Sequence, residues 1–191
     1  MWILLGVGVA VVLYAILTYN NFVKLTQQTK EAWADIDVQL KRRYDLIPNL
    51  IETVKGYASH ERETFDAVVA ARAQATQVHV DPSGITAEQI TAMAGAESAL
   101  GASLGKLMAI AEAYPDLKAN QNFSQLQSEL ADTENKIQAS RRFYNGNVRD
   151  LKIALQSFPG NVIGNTFSFK EEQFFELAEG SAEREPVKVS F

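Results

Sequence analysis

The first charged side chain in this sequence is Lys24. Before it lies an uncharged run of 22 residues, Trp2 to Val23, whose stretch from Trp2 to Leu17 holds only apolar residues, Tyr14 and glycine. As a helix rising about 1.5 Å per residue, the run through Tyr19 reaches about 27 Å, close to the thickness of a bilayer's hydrocarbon core. A helix satisfies its own backbone polar groups, so it suits such a segment in lipid. A cleaved secretory signal is the competing reading. It lacks support, because no Lys or Arg precedes the apolar run and no small-x-small cleavage site leads into a polar mature start. The expectation is a membrane anchor over residues 1–23, with Trp2 at its start, Tyr14 and Tyr19 toward an interface, and Gly6 and Ala10 at the small-xxx-small spacing that lets two helices approach. Positive charge flanks the anchor only on its C-terminal side, at Lys24 and Lys30. Positively charged flanks favour the cytoplasm, so the N-terminus is expected outside and the remainder inside a bacterial inner membrane.

The 191 residues suffice for one domain beyond the anchor. With 18 Lys plus Arg against 23 Asp plus Glu, the net charge of -5 supplies no basic field for nucleic acid. The absence of cysteine excludes disulfides, thiolate metal sites, a catalytic thiol and a lipid-modified cysteine.

Past the anchor, apolar residues recur at helical spacing. Trp33, Ile36, Leu40, Tyr44, Ile47, Ile51, Val54, Ala58, Phe65 and Val68 form one stripe, which predicts a helix running to about Val78. Thr86 with Gln89 forms a capping-box pattern that opens a second helix, with Ile90, Met93, Glu97, Leu100, Leu104, Leu107 and Ala111 on its stripe and Pro115 at its end. A third runs from near Asn122 through Phe123, Ile137, Tyr144, Val148 and Leu151 to the "SFPG" stop. Asn145-Gly146 sits in phase with that stripe and reads as helix with a small residue at a close contact. The fold class is therefore all-α: an anchor continuing into a long kinked helix and an antiparallel three-helix, coiled-coil-like bundle over residues 24–157. The aromatic tail, residues 158–191, is expected to dock on the bundle or on a neighbouring subunit, with a short helix near Glu171–Leu177 and a terminal strand at "PVKVSF".

Turns near Pro82 and Leu117 would bring Tyr114 down only to the level of Ile51. The segment 24–50 then lacks a helix beside it, and Trp33, Ile36, Leu40, Tyr44 and Ile47 would face water. An exposed stripe of that kind is a binding surface, so these residues, with Arg42 and Arg43, are expected to form a homo-oligomer interface. A plain solvated face is the alternative for Lys41, Arg42 and Arg43. Pro48 lacks an N–H and frees the carbonyl of residue 44, which predicts a kink. Glu97 falls on the core stripe of the second helix, opposite Arg72 and Arg141. These three are expected to form a polar layer that fixes helix register, unless Glu97 reaches solvent at the bundle edge.

"HERET", His60–Thr64, lacks the second His that a zinc helix needs at Thr64, so His60 reads as a helix-surface residue and no metal is expected. No phosphate-binding glycine loop or nucleophile elbow occurs, and no catalytic residue or cofactor is assigned.

The stretches "YNNFVKL", "EAWADIDVQLKRRYDLIPNLIETVKGYASHERET", "VVAARAQA", "RRFYNGNVRD" and "SFPGNVI" with "FFEL" resemble the LemA family of bacterial membrane proteins over essentially the whole chain. Leu151-Lys152 and Gly164 depart from that pattern, which has Tyr-Asn and Ala there. The resemblance implies an N-terminal span, a cytoplasmic helical bundle and no established enzymatic activity. It also implies an adapter role beside membrane metallopeptidases. The residues themselves favour a non-enzymatic, single-pass, homo-oligomeric scaffold that organises or shapes the membrane. An adapter for another membrane protein is the alternative.

Overall fold

The structure, a computed structural model, describes residues 1–82 and 84–176, and among these every regular element is a helix, with no strand. The apolar run and the stripe that follows it merge into one helix, α1 (Trp2–Lys55), of 54 residues and about 80 Å. It passes through Pro48 without interruption. One window of α1 is long and apolar enough to cross a membrane, and none of that window is buried inside the protein.

The expected continuation of the first helix to Val78 is overturned. The chain turns at 56–61, where Ala58 is buried at the corner, and α2 (Arg62–Gln77) starts afresh. His60 thus lies in a turn, not on a helix surface. The seven-residue step from Ala58 to Phe65, with Glu61 between, is where the apolar stripe lapses and the corner forms. After the turn, α2 runs back along α1, as the bond from Arg72 to the Tyr44 carbonyl requires. The loop after it delivers Val80 and Ile85 to the cluster around Trp33, Ile36 and Leu40.

Thr86 and Gln89 form a complete capping box that opens α3 (Ala87–Glu112). A single turn, α4 (Pro115–Lys118), buries Leu117 and leads to Asn120. The Asn120 side chain caps α5 (Gln121–Gln156), which descends beside α1 for its whole length. The bond from Asn147 Nδ2 to the Gln28 carbonyl, 3.3 Å, fixes the level at which the two helices pass. Thus two antiparallel hairpins, α1 with α5 and α2 with α3, face one another. This is four-helix up-down-up-down packing, not the three-helix bundle expected.

Because α5 returns to the level of Phe22, the segment 24–50 is not a bare stalk. Trp33, Ile36, Leu40 and Ile47 are buried within their own chain, at 3 % exposure or less. Their assignment as an exposed oligomer interface is therefore corrected: splitting the first helix supplies the extra layer that covers them. Tyr44 is half-buried, Arg43 is buried, and Arg42 alone of the set stays exposed, 3.9 Å from Asp132.

A short helix, α6 (Gly160–Thr166), follows the turn after α5. Residues 171–176 carry no helix, which corrects the expectation near Glu171, while Leu177 and the terminal "PVKVSF" lie outside the described residues. After a turn at 167–168, residues 169–176 carry no regular secondary structure and pack along α1 and α5. Tyr144 donates its hydroxyl to the Gln173 carbonyl (2.8 Å), and the Asn145 amide brackets Phe175, accepting from its N–H (2.8 Å) and donating to its carbonyl (3.0 Å). Burial pushes the Tyr144 hydroxyl well above its ordinary pKa, so it stays a donor. Gly146 has open space around it, so the Asn145-Gly146 pair serves through the asparagine side chain and not through a close glycine contact.

Leu40→Ala is expected to lower bundle stability by about 2–5 kcal/mol, as for other buried leucines. Guanidinium denaturation of the full chain in mild detergent measures it; a change confined to assembly would instead restore the exposed-stripe reading.

Candidate functional site

Pro48 determines what happens one turn earlier in α1. Its ring nitrogen cannot bond the Tyr44 carbonyl, which is left without its helical partner. Arg72 of α2 fills the gap, donating from Nε to that carbonyl at 2.7 Å. The neighbouring Arg43 is buried at 4 % exposure and turns inward between α3 and α5. There it pairs with Glu97 of α3 and, at 2.7 Å, with Glu134 of α5. The Tyr44 hydroxyl also donates to Glu97. Gln138 donates to the other oxygen of Glu134 at 2.9 Å, which orients that carboxylate. One turn further on, buried Arg141 stacks over the Phe175 ring at 4.4 Å.

All four long helices therefore meet in one charged layer: Arg43 and Tyr44 from α1, Arg72 from α2, Glu97 from α3, Glu134 and Arg141 from α5. Arginine suits the central place because its planar fork can serve two carboxylates from two directions. Burial raises the Tyr44 hydroxyl pKa; the Arg43 and Arg141 charges oppose this and Asp37 adds to it. Tyr44 thus remains a neutral donor to Glu97. With its carboxylate committed to Arg43 and Tyr44, Glu97 joins α3 to α1. No group of three or more His, Asp or Glu side chains converges as a metal site among the described residues.

Beside the layer, α3 and α5 stand apart and leave an open cleft of about 600 Å³. Gly101, Ala102, Leu104 and Met108 of α3 and Leu130 and Ala131 of α5 line it, while Arg43, Glu97, Glu134 and Arg141 close its polar end.

Of the residues singled out in the sequence, Glu97 and Arg72 are brought together through Tyr44, whereas Arg141 stands at the edge of the layer against the tail. Arg43 and Tyr44, expected on an outer surface, belong to the layer itself. Glu134 was missed. The available signal was Arg43, which falls between Leu40 and Ile47 at steps of three and four and so occupies a core position that demands a carboxylate. Trp2, Gly6 and Ala10 lie exposed along the apolar part of α1, and Gly6 has open space around it. Tyr19 packs edge-on against Phe167 and Phe169, with centroids 4.9 and 5.4 Å away.

These features define a class: an antiparallel helical bundle, tied internally by a buried ion layer, built on the extension of a helix apolar enough for a membrane. The chain belongs to the LemA family, whose model matches residues 32–191. It is similar to magnetosome protein MamQ 2 of Paramagnetospirillum magneticum, 24 % identical over 185 residues that cover 88 % of this chain and 68 % of the relative. It is likewise similar to magnetosome protein MamQ of Magnetospirillum gryphiswaldense, 24 % identical over 184 residues, 87 % of this chain and 68 % of the relative. Protein LemA of Metamycoplasma hominis is 23 % identical over 160 residues, 84 % of this chain and 69 % of that protein.

Removing Glu97 leaves the buried Arg43 with Glu134 alone, and breaking a buried pair costs up to about 3–5 kcal/mol in comparable cases. Glu97→Leu is therefore expected to destabilise the bundle by that order, and Arg43→Leu with Glu97→Leu to recover much of the loss. Thermal unfolding followed by circular dichroism tests this, and additive losses in the double variant would show that the two residues act independently.

Proposed function

We propose that this chain is a non-enzymatic, single-pass protein of the bacterial inner membrane that self-associates into a scaffold and organises or shapes the bilayer. The observation that carries the self-association is the outer face of α3. Ala92, Gly95, Ala99, Ala102, Lys106 and Ala109 follow one another at steps of three and four, and all are exposed. Apart from Lys106 this surface is of small side chains, which permit close approach of a second helix and gain little from water. A Cβ at Gly95 would meet nothing within 4 Å, so nothing within the protomer requires a small residue there. Self-association through α3 and the adjoining cleft replaces the buried α1 stripe as the assembly surface.

The unbroken α1 supports the scaffold reading. A helix continuous from membrane to bundle transmits orientation, so each assembled bundle would hold its anchor at a set angle and spacing. Lys24 and Lys30 support a cytoplasmic bundle with the N-terminus outside. A second reading, an adapter for another membrane protein such as a metallopeptidase, draws on the same open cleft, whose apolar walls and charged end would accept a foreign helix.

Mass photometry of the full-length protein in mild detergent is expected to show multimers of one regular size. Ala99→Glu with Ala102→Glu, at exposed positions with a good helix former, is expected to give monomers with unchanged helical circular dichroism. A monomeric parent protein would overturn the scaffold reading. A stoichiometric foreign protein retained on purification from native membranes, and lost in the same variant, would establish the adapter instead.

A further inference from the structure

The end of α5 does not stop where the apolar part of α1 begins; it continues alongside it. A Cβ at Gly160 would lie 2.9 Å from the Ala154 carbonyl, so glycine is what lets α6 fold back on the end of α5, and this places position 160 within contact of α1, 3.5 Å from Phe22 Cζ and 3.9 Å from Thr18 Cγ2. A shallow cleft between the two is lined by Tyr14, Leu17, Phe22, Phe158 and Gly160. Phe158 therefore reaches the level of Tyr14 and Leu17. Leu17 stands seven residues before Lys24, which places it about 10 Å deeper along the helix than that first charge.

The large side chains exposed in this region are apolar, and the exposed polar ones beside them, Gln156, Ser157, Asn165, Thr166 and Ser168, carry no charge. Phe158 is 83 % exposed, and Ile153, Val162 and Phe167 are each 56 % exposed. The 17 residues from Ile153 to Phe169 contain no charge, and lysines stand on both sides, Lys152 and Lys170. The residues that face inward are spent on holding the element in place. Buried Gly164 lies under the Phe22 ring, and the N–H of Phe169 returns to the Gly164 carbonyl at 3.0 Å. Phe169 then packs on Phe22 with centroids 5.2 Å apart.

We propose that the end of α5, the turn and α6 form a second membrane contact, in which Phe158, Val162 and Phe167 enter the interfacial zone of the bilayer beside α1. The inference rests on α1 being embedded through Tyr14 and Leu17, as proposed above. Given that, a surface flush with those residues meets the same medium, and an uncharged aromatic element between lysines matches it. Interfacial segments bury their apolar faces about 5–10 Å into the headgroup and acyl boundary, which is the depth Phe158 reaches. Aromatic side chains favour that boundary, and exposed Lys170 can extend to the headgroups while Lys152 pairs with Glu171 at 3.4 Å. Because the contact lies on one side of α1, each protomer displaces lipid asymmetrically in one leaflet. It also braces the anchor against tilting toward α6.

The chain has no cysteine, so single-cysteine spin labels report without background. The full-length protein is labelled at Phe158→Cys or Val162→Cys and reconstituted in phosphatidylethanolamine–phosphatidylglycerol vesicles. Val11→Cys serves as the anchor reference and exposed Val38→Cys as the aqueous one. Electron paramagnetic resonance then compares collisions with oxygen and with a water-soluble nickel chelate. The expected result is that labels at 158 and 162 lose nickel collisions relative to Val38→Cys while retaining oxygen collisions, as at Val11→Cys. Nickel access equal to that at Val38→Cys, with Val11→Cys still protected, would overturn the second contact and leave the anchor standing. Protection from both reagents would mean that protein covers the patch, and would likewise overturn it. Nickel access at Val11→Cys would overturn the anchor and this inference together.

Discussion

A guanidinium removed from water must be paired, and the burial of Arg43 is the constraint on which the arrangement of this molecule rests. Its partners come from two different helices, Glu97 of α3 and Glu134 of α5. No sliding of either helix by a turn keeps both pairs. Apolar stripes alone tolerate such slips, because a leucine one turn away offers nearly the same surface. A buried charge does not, since the unpaired alternative is costly. The same level of α1 carries the Pro48 defect, and the exposed carbonyl it creates is taken up by Arg72. Thus a break in helical bonding and a buried charge together join α1 to every other long helix.

The bundle and the membrane-type segment are one mechanical unit for a related reason. No loop separates them, and α5 descends alongside α1 as far as Phe22, where Gly160 and Gly164 let α6 fold closely onto the end of α5 and rest against the Phe22 ring. The tail then climbs back between the two helices and ends its described course with Phe175 against Trp33 and Arg141. Two long helices and a strap reinforce the part of the rod nearest the apolar segment. That stiffness is what a scaffold of set geometry, or an adapter holding a partner at a fixed height, would draw upon.

The contrast between α3 and α1 separates what the protomer consumes from what it leaves exposed. The stripe of α1 is broad and branched, and it is consumed within the protomer. The outer face of α3 is narrow and small, and it is left over. Size, and not hydrophobicity alone, distinguishes them: large side chains fill a core between helices, while small ones only matter where another backbone comes near.

The sequence by itself determined the helical class, the long apolar first segment, the capped start of α3 at Thr86, and the span of α5. Each of these depends on residues within a few turns of one another. It also marked Glu97, Arg72 and Arg141 as polar residues at or near core positions, and the carbonyl left open by Pro48. What it did not determine was the partner of each group. The corner at 56–61 is marked only by a lapse of the apolar stripe between Ala58 and Phe65, with no proline or paired turn residues, and one missed corner turns four helices into three and a covered stripe into an open one. Arg43 was read as a surface charge because its two neighbours, Lys41 and Arg42, are surface charges. Only the tertiary structure, by bringing Glu134 from 91 residues away, could show that its charge is satisfied inside. Local periodicity follows from the backbone's own geometry, whereas which side chains meet across helices depends on where the chain turns.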